Sequence, residues 1–181
     1  MGLVVINQDG TGAHRPPGAR DAVLRPFSWS PDGTQIVFVR FDTRPDPSGS
    51  GSTRLVSLFV LDVASGTSRR LTEGECADVD PAWSPDGSRI VFARCFSQRQ
   101  QNLFAVKPDG TGLQRLTDGE WIDAVPTWSP DGAEIAFERT LALNSDIWVI
   151  RADGARPRNL TADSPVADYF PAWNPAPPRS P

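Results

Sequence analysis

Trp83-Ser84-Pro85-Asp86-Gly87 stands near the middle of the chain, and its recurrence decides the fold. The same five residues occur as Trp29-Ser30-Pro31-Asp32-Gly33 and as Trp128-Ser129-Pro130-Asp131-Gly132. A decayed copy is Trp173-Asn174-Pro175. The four tryptophans are 54, 45 and 45 residues apart, and a period of that size marks a repeat architecture. The turn itself has a mechanism. Pro presets φ at the second position of a type I turn, Asp suits the third, and Gly supplies the left-handed residue that returns the chain as a strand.

Outward from each copy runs a β-rich stretch: Ile36-Val37-Phe38-Val39, Ile90-Val91-Phe92-Ala93 or Ile135-Ala136-Phe137-Glu138. A second apolar run follows, Leu58-Phe59-Val60-Leu61, Leu103-Phe104-Ala105-Val106 or Ile147-Trp148-Val149-Ile150. Each unit closes on Arg70-Leu71-Thr72, Arg115-Leu116-Thr117 or Asn159-Leu160-Thr161. Lys107-Pro108-Asp109-Gly110 supplies a further turn, with Asp9-Gly10 and Asp153-Gly154 as looser versions. Four short strands in about 45 residues make the blade of a β-propeller. Middle strands apolar on both faces suit blades, which pack on a neighbour at either side. The expected fold is all-β, a propeller of four-stranded antiparallel blades occupying residues 1–175. Blades are expected over residues 24–72, 78–117 and 123–161, with a partial blade over 1–16. The first strand of a further blade is expected over 168–173, and a disordered tail over 176–181.

Composition supports this and removes several functions. There are 17 Asp against 5 Glu, and Gly and Pro together number 33, a bias toward turns rather than helices. The net charge of −4 gives no general affinity for nucleic acid or anionic membrane. No apolar run approaches the roughly 18 residues of a membrane span. Residues 1–10 lack the basic segment and long apolar stretch of a signal peptide. The compartment is not legible.

The pattern Pro-x-Trp-Ser-Pro-Asp-Gly, a strand, an aromatic strand, Asp-Gly-Thr-Gly and Arg-Leu-Thr resembles the TolB-type β-propeller repeat over nearly the whole chain. The first copy departs most, with Phe27 where the others have Pro81, Pro126 and Pro171. The resemblance implies a ring of six or more blades, a periplasmic or extracytoplasmic setting, and a non-catalytic platform for protein or peptide binding. It also implies two alternatives. One is the gating propeller of a prolyl-oligopeptidase-type serine peptidase without its hydrolase domain. The other is the sensor propeller of a membrane-anchored regulator.

Counting strands leaves three arrangements open. Residues 3–6 match the third strand of a blade, because Val5 precedes Asp9 as Val149 precedes Asp153. The partial blade therefore has strands one, three and four but lacks the second. The chain is expected to be a piece of a larger propeller, or to pair head to tail with a second copy, or to close alone with a three-stranded seam.

Two charges recur with the blade. Asp78, Asp123 and Asp168 stand five residues before the Trp, and Arg40, Arg94 and Arg139 stand eleven after it. If Ser84 pairs with Ser88 across the turn, Asp78 falls opposite Arg94 and Asp123 opposite Arg139, as cross-strand ion pairs. In the same register Arg40 faces Leu24, and Asp168 has no second strand to supply its arginine. The other reading makes the three carboxylates partner-binding groups at the channel entrance. Trp121, which replaces Cys76 of the previous unit, is expected either on that docking face or packed in the core. The first repeat is longer between strands two and three, within residues 41–54, a Ser/Gly/Pro-rich insertion read as a solvated loop or a recognition loop carrying Arg44. Candidate partner-binding residues are thus Asp78, Asp123, Asp168, Trp121 and Arg44.

Tests for chemistry are negative in the sequence. His14 is the sole histidine, and no Gly-x-Ser-x-Gly elbow exists for a Ser-His-Asp triad. Cys76 and Cys95 are the only cysteines, too few for a zinc site, and are read as two half-buried thiols or a disulfide. The Asp-Gly turns lack calcium-loop spacing. No catalytic residue, metal or cofactor is expected.

Overall fold

The computed structural model describes residues 3–16, 24–45, 52–73, 76–142 and 144–174. Among the described residues twelve strands form three blades, each an antiparallel meander in chain order, and a parallel bridge between Gln101 and Ile122 joins the second blade to the third. Blade 1 holds β1 (Leu24–Trp29), β2 (Gln35–Pro45), β3 (Ser52–Asp62) and β4 (Ser68–Arg70). Blade 2 holds β5 (Ala77–Trp83), β6 (Ile90–Ser97), β7 (Gln100–Val106) and β8 (Gln114–Arg115). Blade 3 holds β9 (Ile122–Trp128), β10 (Glu134–Leu141), β11 (Asn144–Arg151) and β12 (Arg158–Asn159). Ahead of them, Val5 and His14 pair antiparallel in a short hairpin that takes the place of strands three and four. The class is the one expected, an all-β propeller of three four-stranded blades and a partial one.

The repeated turns form as their residues dictate. In the second, the Gly87 N–H donates to the Ser84 carbonyl at 2.9 Å, with Gly87 at φ 72°. Ser84 Oγ donates to Asp86 Oδ1 at 2.6 Å and accepts from the Arg89 N–H at 3.0 Å. The other two turns repeat this pattern through Ser30 with Asp32 and Ser129 with Asp131. These bonds to the ionised carboxylate pull Asp86 down to about 2, the Ser84 hydroxyl acting most strongly, and lower Asp32 and Asp131 in the same way.

Burial follows from stacking blades face to face. Leu3 and Val5 pack on Ile36, Phe38, Phe59 and Leu61, covering one side of blade 1. Its other side gives Val37, Val39, Leu58 and Val60 to Trp83, Ile90, Phe92 and Phe104 of blade 2. Blade 2 then meets blade 3 through Val91, Leu103 and Leu116 against Trp128, Ile135, Phe137 and Ile150. Two joints repeat along this stack. The Trp128 indole N–H donates to Ala82 O at 3.2 Å, and the Trp173 indole N–H to Thr127 O at 3.1 Å. A Cβ added at Gly154 would lie 2.6 Å from Leu116 O, so the Asp-Gly turn of blade 3 sits directly on the end of blade 2. Gly110 stands likewise over Leu71 O, 3.2 Å from a notional Cβ. Leu71 and Leu116 are buried under these turns, whereas Leu160, last of the series, is 53% exposed.

Three sequence expectations need correction. Near the turn the register runs one residue later than a Ser84–Ser88 pairing requires, with Trp83 opposite Ile90. A bulge between Val79 and Ala82 takes up the difference, so Asp78 still falls opposite Arg94. In blade 1 the shift is larger, and Leu24 pairs with Val39 rather than Arg40. The bulge residues Asp80 and Val125 have φ near +50°, and proline, fixed near −65°, cannot adopt that at Pro26.

The insertion, read as a loop, is instead a continuation of the β2–β3 hairpin. Asp42 pairs with Leu55, Thr43 with Arg54, Arg44 with Thr53 and Pro45 with Ser52. Backbone pairing outweighs the linker-like composition as far as Pro45 and from Ser52; residues 46–51 lie outside the described residues.

Residues 168–173, expected as a strand, carry no ladder pairing among the described residues. They nonetheless hold the place of β5 and β9. Trp173 is anchored like Trp128, and Phe170 has φ 57°, matching Asp80 and Val125. The expected tail over 176–181 lies outside the described residues.

Candidate functional site

Asp78 and Asp123 open the innermost strands β5 and β9, at the end of the blades where the β2–β3 ribbon and the β6–β7 and β10–β11 turns also lie. Each faces its arginine across the sheet. Arg94 donates to Asp78 through Nε at 2.6 Å and Nη2 at 2.9 Å, and Arg139 makes the same two bonds to Asp123. Both carboxylates are buried, and Arg139 is buried as well. The bond from Asp78 raises Arg94 above its ordinary value, fixing the guanidinium as a cation. These two sequence-selected residues are thus neutralised in fork-to-fork pairs and withdrawn from solvent.

The arginines also sit among aromatic rings. The Arg94 guanidinium carbon lies 5.1 Å from the Phe104 ring centre and 5.5 Å from that of Phe92. That of Arg139 lies 4.5 Å from Trp121, 4.7 Å from Trp148 and 5.2 Å from Phe137. Arg40, with Leu24 in place of an acid, stacks 3.4 Å over Phe59 and donates to Ser68 Oγ at 3.5 Å.

Trp121 is half-buried, so it is neither a fully exposed anchor nor a core residue. Its carbonyl accepts from the Gln101 N–H at 2.9 Å, joining the edges of blades 2 and 3. Its ring lies against Gly119, where a Cβ would come within 2.3 Å of it, and Gly119 has φ 123°. The Gly119 carbonyl accepts from Gln100 Nε2 at 3.1 Å and Asn102 Nδ2 at 3.3 Å, which fixes the loop. The buried indole N–H of Trp121 has no hydrogen-bond partner among the described residues.

Asp168 occupies the position of Asp78 and Asp123 without an arginine. Its backbone N–H donates to Ser145 O at 2.7 Å, and its buried Oδ2 has no partner among the described residues. Arg44 lies on the β2 half of the ribbon, opposite Thr53, and its side chain is outside the described residues. Four of the five candidate positions therefore gather at the leading ends of blades 2 and 3 and of the segment that follows, while Arg44 belongs to blade 1.

Two groups were not singled out in the sequence. Glu138 is a buried carboxylate where blades 1 and 2 have Val39 and Ala93, and it accepts the Phe170 N–H. The break in apolar alternation at Glu138 was its available signal. Asp80, inside the bulge, accepts the Val125 N–H at 3.3 Å, and burial raises its carboxyl above the usual range.

Other chemistry finds little support here. Cys76 and Cys95 are free thiols. Burial first, then Asp80 and Asp78, pushes Cys95 up to about 11, and its Sγ donates to Gln101 Oε1 at 3.1 Å. His14 is exposed in the hairpin, its Nδ1 2.7 Å from Gly12 O. Among the described residues no group of three His, Cys, Asp or Glu side chains is placed to hold a metal, and no helix is long and apolar enough to cross a membrane. A cavity of about 1100 Å³ opens at the opposite end of the blades, beside the Ser-Pro-Asp-Gly turns. Of its cations, Arg158 pairs with Glu134 at 2.8 Å and Arg89 donates to Ala152 O at 3.0 Å.

Comparison with known proteins agrees with the fold. The chain is 29% identical over 91 residues to the Tol-Pal system protein TolB of Francisella tularensis subsp. mediasiatica, covering 50% of this chain and 19% of that protein. It is 32% identical over 85 residues to dipeptidyl-peptidase 5 of Porphyromonas endodontalis, covering 47% of this chain and 12% of that one. The chain thus spans less than a fifth of the curated relatives named here. Among solved structures, a putative TolB from Agrobacterium tumefaciens superposes with a TM-score of 0.67 at 24% identity, over 87% of this chain and 55% of that one. An oligogalacturonate lyase from Vibrio parahaemolyticus gives 0.65 at 13% identity, over 87% and 47%, a likeness of fold alone. The TolB beta propeller domain matches residues 1–176, and the chain belongs to that family.

Proposed function

We propose that this chain is a non-catalytic platform that binds protein or peptide at the leading ends of its blades. The observation that carries the reading is a pair of buried polar atoms at that end with no hydrogen-bond partner among the described residues, Trp121 Nε1 and Asp168 Oδ2; the Trp83 and Trp148 indole N–H groups are open as well. Buried polar groups are normally hydrogen-bonded, and those left open on a rigid scaffold are ready to receive a partner's donors and acceptors. Asp78 and Asp123, buried and already paired with Arg94 and Arg139, hold the strand ends rigid behind that face, and the ribbon bearing Arg44 extends it. Likeness to proteins named for the Tol-Pal system supports a protein partner. The −4 charge argues against nucleic acid.

The test is selection of peptides from a random display library on the immobilised chain, followed by affinity measurement on variants. Trp121→Ala, Arg44→Ala and Asp168→Ala are expected to weaken the selected peptides tenfold or more. Peptides bound equally well by all three variants would sink the proposal.

A second reading has one observation in its favour, the 32% identity with a dipeptidyl-peptidase over 85 residues. On that reading the blades gate access to a hydrolase domain. Peptidase activity that appears only when the chain is joined to a Gly-x-Ser-x-Gly domain would decide for it.

A further inference from the structure

The two joints between complete blades share one kind of apolar packing and differ in their polar bonds. Each has a continuous core of buried side chains contributed by both blades. Between blades 2 and 3, hydrogen bonds cross that core from one end to the other. The Gln101 N–H donates to Trp121 O at 2.9 Å, and the Val125 N–H to Asp80 Oδ2 at 3.3 Å. The Trp128 indole N–H donates to Ala82 O at 3.2 Å, and Arg89 Nη1 to Ala152 O at 3.0 Å. Pairing of β7 with β9 makes one continuous sheet of these two blades, whereas blade 1 is a sheet of its own.

Between blades 1 and 2 those bonds have no counterparts among the described residues. The Trp83 indole is only 8% exposed, yet its N–H has no partner, where Trp128 and Trp173 each find a carbonyl of the preceding blade. Three residues before its tryptophan, blade 1 carries Pro26 in the place of Asp80. Proline offers no carboxylate to accept a bond and cannot take the left-handed φ of Asp80, so β1 shifts register between Leu24 and Phe27 instead. Val56 stands where blade 2 has Gln101, and Gln35 where it has Arg89; neither is bonded to blade 2. Ser28 Oγ does accept the Trp83 main-chain N–H at 3.1 Å, and Arg69 donates to Pro108 O at the outer end.

Apolar contact holds two surfaces together without fixing the angle between them, while hydrogen bonds fix direction. We infer that blade 1 hinges against a single rigid block made of blades 2 and 3, along a seam that passes beside the Trp83 indole. The ribbon bearing Arg44 belongs to blade 1, and Trp121 belongs to the block. Movement at the seam therefore changes the separation of these two parts of the same end of the molecule. The hinge goes beyond the binding reading above and does not depend on it.

Val37 and Val91 hold the same place in successive blades, both fully buried, one in the seam and the other in the joint between blades 2 and 3. In the full chain carrying Cys76→Ser and Cys95→Ser, Val37→Cys or Val91→Cys sets a single thiol at either place. Reaction with a disulfide reagent at pH 8 is expected to be at least about tenfold faster at position 37, and there to depend little on urea, since each missing bond changes an opening equilibrium by roughly two- to tenfold. Trp128→Phe removes an indole bond and is expected to speed labelling at position 91 severalfold. Trp83→Phe has no bond to remove and is expected to leave position 37 within twofold. Leu58→Cys and Leu103→Cys, likewise buried at matching places, form a second pair expected to rank the same way. Equal rates at both joints, rising together with urea, would mean that global unfolding exposes both thiols, and would overturn the inference. An effect of Trp83→Phe as large as that of Trp128→Phe would do so too.

Discussion

Arg139 grips both carboxylate oxygens of Asp123, Nε to Oδ1 at 2.6 Å and Nη2 to Oδ2 at 2.9 Å, and both residues are buried. Removing one member of such a pair strands a buried charge. Asp123→Ala is expected to lower stability by about 3–5 kcal/mol. Asp123→Ala combined with Arg139→Met is expected to be less harmful than the single change, as no charge is then stranded. Asp168→Ala, which loses no arginine, is expected to stay within about 0.5 kcal/mol of wild type. Urea unfolding of the four proteins checks the series; equal losses at Asp123 and Asp168 would contradict it.

Gly119 leaves room for Trp121. A methyl group there would overlap the indole, which lies 2.3 Å from the Cβ position, and φ 123° is a conformation that L side chains rarely adopt. Gly119→Ala is expected to cost about 1–3 kcal/mol and to push the Trp121 ring off Arg139. The readout is tryptophan emission, which should shift to the red in Gly119→Ala and not in Gly112→Ala, where the nearest atoms belong to the flexible Lys107 side chain.

The turn aspartates make the fold acid-sensitive. Asp86 is held at about 2, against 3.8 for the free side chain, chiefly by the Ser84 hydroxyl. A carboxylate with a lowered folded-state value stabilises the fold above pH 4 and loses that contribution as pH falls through 2. Melting temperature is therefore expected to fall between pH 4 and pH 2. Asp86→Asn should melt lower than wild type at pH 6 and converge with it at pH 2.

Cys95 is the converse case. Burial raises its thiol from 9.0 to about 11, so the folded chain keeps the proton that an unfolded chain releases. Its contribution to stability is complete below pH 9 and is lost as pH climbs toward 11. At pH 8 the folded thiol is expected to react with a disulfide reagent about 100-fold more slowly than in urea, from the thiolate fraction alone. The Cys76→Ser variant isolates the rate, and equal rates folded and unfolded would refute the placement of Cys95.

Much of this molecule could be read from its residues because its turns carry their own geometry. Pro, Asp and Gly at fixed offsets specify where strands end, and the ion pairs of Asp78 and Asp123 follow from simple counting. That counting reached the right partners although the local register near Trp83 is one residue later, since the bulge at Asp80 takes up the difference. The bulge was illegible because Asp80 and Val125, unlike glycine, do not announce a left-handed backbone. The β2–β3 ribbon was hidden by its Ser and Gly content, where cross-strand pairing rather than composition determines structure. Trp121 was undecided because its surroundings, Gly119 and Arg139, converge only in three dimensions.

The joints between blades all point one way. The Asp-Gly turns at Gly110 and Gly154 rest on the Leu-Thr ends of the blades before them, and the Trp128 and Trp173 indoles bind the strands before them. Blade 2 is the only described blade clasped on both faces by another complete blade, and its stability draws on two neighbours at once. Opening should then proceed inward from the flanks, as in a row of coupled units where each supports the next. Amides of β6 are expected to exchange last and those of β11 and β12 earlier, a gradient measurable by native-state hydrogen exchange. Cooperativity in this molecule is thus a property of position along the stack, highest where the chain has company on either hand.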